Sequence, residues 1–166
     1  MSLISFIKEA GEKLFGKGEA KAAQEAVAQQ ASAENLERLN RAAGDAIATY
    51  IGSMGLKVDS LDVGFDGSSG TVTVAGVAAD QSTKEKVVLC CGNVATVAAV
   101  NDMLTVATPA DESKYYTVVS GDNLSKIAKQ FYGNPNKYPV IFEANKPMLT
   151  HPDKIYPGQL LRIPPA

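Results

Sequence analysis

A polar stretch carrying a proline, Thr108-Pro109-Ala110-Asp111-Glu112-Ser113-Lys114, divides the chain into two parts whose hydrophobic patterns are punctuated differently. Such a break predicts a linker over 108–114. The length of 166 residues suits one large domain or two small ones, and the linker argues for two.

Before the linker, Leu3, Phe6, Ile7, Ala10 and Leu14 recur at helical spacing with Lys8, Glu9, Glu12 and Lys13 between them. That pattern predicts an amphipathic helix over 1–18, closed by Gly16 and Gly18. Residues 19–38 are rich in Ala, Gln and Glu and short of large apolar anchors, the composition of a helical linker. Helical spacing resumes at Leu36, Leu39, Ala43, Ile47, Tyr50 and Ile51, with Gly52 and Gly55 as terminators. Alternating apolar residues on both sides of Asp66-Gly67-Ser68-Ser69-Gly70 predict a β-hairpin. Ser82 or Thr83 is placed to cap a helix reaching about Cys91, and Gly92 to end it. Val94, Val97, Val100 and residues 102–106 then close a small α/β unit spanning 39–107.

After the linker, residues 115–166 read as strand, helix, helix, strand. Residues 116–119 form the first strand, and 120–123 a turn that caps the next helix. Leu124, Ile127, Ala128, Phe131 and Tyr132 give that helix its apolar face. Gly133-Asn134-Pro135-Asn136 breaks it, residues 138–144 form a second helix, and 160–164 the last strand. The fold class is therefore α+β: an N-terminal amphipathic helix, a small α/β domain and a βααβ domain.

Composition narrows the function. A formal net charge of -2 lacks the basic balance of a nucleic-acid binder. No apolar run approaches the ~20 residues of a membrane-spanning helix. One His and two Cys exclude a two-His metalloprotease helix and a four-Cys zinc site. Cys90 and Cys91 read as small buried apolar residues of a helix. Ser120 and Ser125 have no positioned base, His151 lies in a turn-like loop, and Asp122 is placed as a helix cap. No enzyme is expected. The start of the chain has no basic n-region and its apolar stretch is broken at Ser5, so a cytoplasmic protein is expected.

Three segments in order, 116–124, 141–145 and 155–164, resemble a LysM domain. Residues 39–106 resemble a BON domain, through Gly67, Val72, Val74, Gly76 and the run Gly92-Asn93-Val94-Ala95-Thr96-Val97. With the segment 6–14, nearly the whole chain is similar to the family of small bacterial cytoplasmic potassium binding proteins of BON–LysM architecture. The Ala/Gln-rich stretch between Gly18 and Gly44 is longer than that resemblance leads one to expect. The resemblance implies a bound K+. Potassium is held by neutral oxygens, commonly main-chain carbonyls, and helix C-termini offer such oxygens at the negative end of the macrodipole. Two helix ends qualify, so the carbonyls of Ile7, Ala10, Gly92, Val94 and Val97 are the expected ligands, with a monomer as the expected state and docking of the second domain as the response. The alternative is a module for N-acetylglucosamine polymers such as peptidoglycan. By resemblance its groove lies at Gly121, Asp122, Asn123 and Leu124 and at Asn145, Lys146, Pro147 and Met148. A plain protein adaptor is the third reading.

Overall fold

The computed structural model describes residues 33–165. The amphipathic helix expected over 1–18 lies outside them, and so do Ile7 and Ala10. The first described element, α1 (Ala33–Ser53), buries Leu39, Ala43, Ala46, Ile47 and Ile51 along one stripe, as a 3.6-residue period requires. Its opposite face is solvated and carries the Arg41–Glu37 pair at 3.3 Å.

The hairpin follows as β1 (Val58–Asp66) and β2 (Thr71–Asp80), paired antiparallel. A helix, α2 (Gln81–Gly92), then leads to β3 (Ala99–Thr108), which pairs parallel to β2. A parallel pair needs a crossover, and α2 supplies it. The sheet order is β1-β2-β3. Val72 and Val74 alternate inward on β2 with Leu104 from β3 and Phe65 from β1. They meet Ala43, Ile47 and Ile51 of α1 and Val87, Cys90 and Cys91 of α2 in one core. Both helices thus cover one face, while Val77 and Met103 stand exposed. The two thiols are fully buried, and burial pushes each up to about 12, which makes them poor nucleophiles.

The second domain comprises β4 (Lys114–Thr117), α3 (Leu124–Tyr132), a 3-10 turn at Pro135–Lys137, α4 (Tyr138–Ala144) and β5 (Leu160–Ile163). β5 runs antiparallel to β4. Val118, Leu124, Ile127, Ala128, Ile141, Leu149, Leu161 and Ile163 form its own core. Tyr116 meets Phe131 edge-on at 5.6 Å.

Three local expectations are corrected. The cap of α2 is Asp80, whose carboxylate accepts from the Thr83 amide at 2.7 Å, not Ser82 or Thr83. The strand carries on to Asp80, which keeps extended backbone geometry while its side-chain oxygen takes a free amide of the first helical turn, as an N-cap does. Asn123 rather than Asp122 caps α3. Asp122 instead accepts from the Val119 amide and the Tyr116 hydroxyl, and these bonds hold its carboxyl below the usual carboxylate range. Gly92 is the last residue of α2, and it is not among the glycines with positive φ. Its missing side chain serves close packing: a Cβ there would lie 2.8 Å from Leu160 Cδ2.

Candidate functional site

The C-terminal end of α2 runs into the loop that carries the three described ligand candidates. Asn93 follows Gly92 as the C-cap, with its amide on the carbonyls of Leu89 and Cys91. The Val94 amide donates to Cys91 at 3.2 Å and the Val97 amide to Val94 at 3.1 Å. The Val94 carbonyl is therefore already shared. No hydrogen bond from a described residue ends on the carbonyl of Gly92 or Val97. Both are neutral oxygens of the kind a weakly hydrated monovalent cation requires, and that of Gly92 stands at the negative end of a helix dipole. Among the described residues no three His, Cys, Asp or Glu side chains gather as a metal-binding group; the oxygens this loop offers are carbonyls.

The loop is held under strain. Thr96 has φ 77, an uncommon value that is a genuine outlier for a β-branched residue. Its Oγ1 is buried without a hydrogen-bond partner among the described residues. The far end of the loop is fixed by Gly70, whose carbonyl takes the Ala98 amide at 2.8 Å. Gly70 itself sits at φ 67, where a Cβ would lie 2.9 Å from the Thr96 carbonyl. A cleft of about 200 Å3 opens beside the loop, lined by Phe65, Ser68, Ser69, Gly70, Thr96 and Ala98. Thr96→Gly removes both the left-handed strain and the orphaned hydroxyl, against the larger unfolded-state entropy of glycine. The expected net effect is a gain of about 1 kcal/mol, read from the urea midpoint at unchanged slope.

The near end of the loop is fixed by the second domain. The Asn93 side-chain amide donates to the Leu160 carbonyl at 2.9 Å, and its Oδ1 accepts from the Leu160 amide at 2.8 Å. About two turns earlier on α2, Glu85 is buried and faces Arg162 of β5 at 2.5 Å. The same carboxylate accepts from Gln81 Nε2 at 2.9 Å and from the Ser113 amide at 2.7 Å, and the Tyr115 hydroxyl reaches the Glu85 carbonyl. Burial pushes the Glu85 carboxyl up, but the Gln81, Ser113 and Arg162 donors together outweigh it and hold it below its ordinary value of 4.5. Sequence reading missed this group. The partner of Glu85 lies 77 positions away.

The residues expected to line a glycan groove divide. Gly121 and Asn123 are exposed, and the Gly121 carbonyl accepts from Lys126 Nζ at 2.7 Å. Leu124 is in the core at 2% exposure. Asn145, 1% exposed, has its side chain committed to Ile141 and Arg162. Lys146 pairs with Glu143 at 2.7 Å and lies over the Phe142 ring. Pro147 is exposed, and Met148 packs against the core of the first domain. The tyrosines also separate: Tyr116 and Tyr132 pack on the second core, Tyr115 reaches across to Glu85, and Tyr156 is 52% exposed.

Comparison with known proteins agrees with this layout. Residues 45–108 match the BON domain family and residues 116–164 the LysM domain family. The chain is 45% identical over 164 residues to the "Potassium binding protein Kbp" of Escherichia coli, covering 99% of each chain. It is also 51% identical over 49 residues to an uncharacterized protein of Deinococcus radiodurans, covering 30% of this chain and 19% of that one.

Proposed function

Because the chain belongs to the family of the potassium binding protein Kbp, with a BON and a LysM domain, we infer that it binds K+ through main-chain carbonyls and that the ion sets the docking of its two domains. The observation that carries this reading is that no described residue donates to the carbonyls of Gly92, the last residue of α2, and of Val97 in the loop that follows. Val94 adds a shared oxygen. Ile7 and Ala10 are the further ligands proposed from the sequence. The working protein is a cytoplasmic monomer that performs no catalysis. No helix among the described residues is long and apolar enough to cross a membrane.

The physical logic is that neutral oxygens replace the hydration shell without adding anionic charge, which favours a large monovalent cation over a divalent one. An ion that binds only the folded state stabilises it by mass action, by about 2.7 kcal/mol at a hundredfold excess over Kd. Melting followed by circular dichroism is therefore expected to shift upward by several degrees in KCl relative to NaCl at equal ionic strength. Coincident curves in the two salts sink the reading. A crystal soaked in rubidium tests the ligand set: an anomalous peak is expected between the 7–10 segment and the Gly92–Val97 loop.

The LysM match also supports a second reading, binding of N-acetylglucosamine polymers. The exposed residues of the candidate groove, Gly121 and Asn123, favour it; the engaged Asp122, Asn145 and Met148 weigh against it. Co-sedimentation with insoluble peptidoglycan, compared with chitin, decides between the two.

A further inference from the structure

Strand β5 pairs with β4 along one edge only. On its other edge, the backbone groups of two alternate residues are each taken by one asparagine amide. Arg162 is taken by Asn145 of its own domain, and Leu160 by Asn93 of the BON domain. Each amide acts as a one-residue pseudo-strand on an otherwise open edge. Asn93 differs from Asn145 in what stands beside it. Its chain neighbours are Gly92 and Val94, so the Gly92 carbonyl read as an ion ligand belongs to the peptide that ends on the Asn93 nitrogen, and the Val94 carbonyl lies one peptide beyond.

We propose that Asn93 is a positioning residue, through which the LysM strand β5 holds the Gly92–Val97 loop in its ion-binding shape. The inference rests on the ion-binding reading of that loop and adds that the LysM domain is part of the site's scaffold. A loop with a left-handed Thr96 persists only where its surroundings over-determine it. Here the anchors come from two domains: Leu160 at the start, through Asn93, and Gly70 at the end, through the Ala98 amide. Gly92 lets the start anchor close, since a Cβ would collide with Leu160. Loss of the Asn93 side chain leaves every carbonyl in the chain but frees the peptides on either side of it to turn. Apparent affinity then falls by the fraction of molecules that keep the competent loop. Linkage makes the coupling reciprocal: the ion tightens the hold on β5 by the factor that β5 tightens the ion.

The test is calorimetric titration of the full-length chain and of Asn93→Ala with KCl, each also melted without potassium. Two neutral hydrogen bonds predict a Kd about tenfold weaker in the variant, with a cooperative melt retained. An asparagine that served only general stability lowers the potassium-free melting temperature and leaves Kd alone; a Kd within twofold of the parent overturns the proposal. Amide hydrogen exchange on the unsubstituted chain is the second measurement and requires no variant to fold. Potassium is expected to slow exchange of the Leu160 amide about tenfold, and an unchanged Leu160 rate overturns the proposal even where other amides are protected. If the parent chain gives no potassium heat, the ion-binding reading itself falls, and this inference with it.

Discussion

Glu85→Ala is expected to destabilise the chain by about 3–5 kcal/mol, among the largest effects of any single substitution in this fold. Glu85 is 3% exposed and Arg162 8% exposed. Truncating the acid leaves the guanidinium of Arg162 buried beside Gln81 and the Ser113 amide, with no counter-charge from Glu85. The cost is that of an uncompensated buried charge, not the worth of the pair. The double change Glu85→Leu with Arg162→Met removes both charges and is expected to recover most of the loss. Urea unfolding of the two single variants and the double variant measures the coupling. The pair also gives an acid signature. The Glu85 carboxyl is held below its ordinary 4.5 in the folded chain. Its contribution is therefore fully present above that value and is lost as pH falls through the lower, folded one. The parent chain should lose stability below about pH 4.5 more steeply than Glu85→Ala; parallel acid limbs contradict the assignment.

Elements written in local pattern were legible before any coordinates. The stripe Leu39, Ala43, Ile47, Ile51 announces α1, and the alternation around the 66–70 turn announces the hairpin. Residues 138–144 were read as a helix and are one. What stayed hidden is whatever joins residues distant in sequence. Glu85 and Arg162 are 77 positions apart, and Asn93 and Leu160 are 67; no periodicity connects them. The glycine at 92 was visible but its reason was not, because a glycine that lets a backbone turn and one that lets a neighbour approach look alike in a sequence. The carbonyls of Gly92 and Val97 are the extreme case: every residue has one, so only the helix end and the family pattern single them out.

Asn145→Ala carries the second large expected effect, a loss of about 3–5 kcal/mol. Its Nδ2 donates to Ile141 at 2.7 Å and to the Arg162 carbonyl at 2.8 Å, and its Oδ1 accepts from the Arg162 amide at 2.8 Å. All three bonds are buried, so truncation strands the Arg162 backbone N–H and C=O where water does not replace the lost partner, at about 1–3 kcal/mol each. Asn145→Leu fills the space and still strands them, so it recovers little. Asn145→Asp removes both donors and adds a buried charge, and is expected to be worse than alanine. Asn93 makes the same bidentate pair with Leu160, yet its surroundings are only half-buried. There the freed groups rehydrate, and Asn93→Ala is expected to cost about 1–2 kcal/mol. Burial, rather than the length of the bonds to β5, separates the two asparagines. Urea denaturation of both alanine variants checks it. A loss at Asn93 equal to that at Asn145 means that the β5 edge is equally dry at both ends, and that the two-domain contact is as fixed as a core.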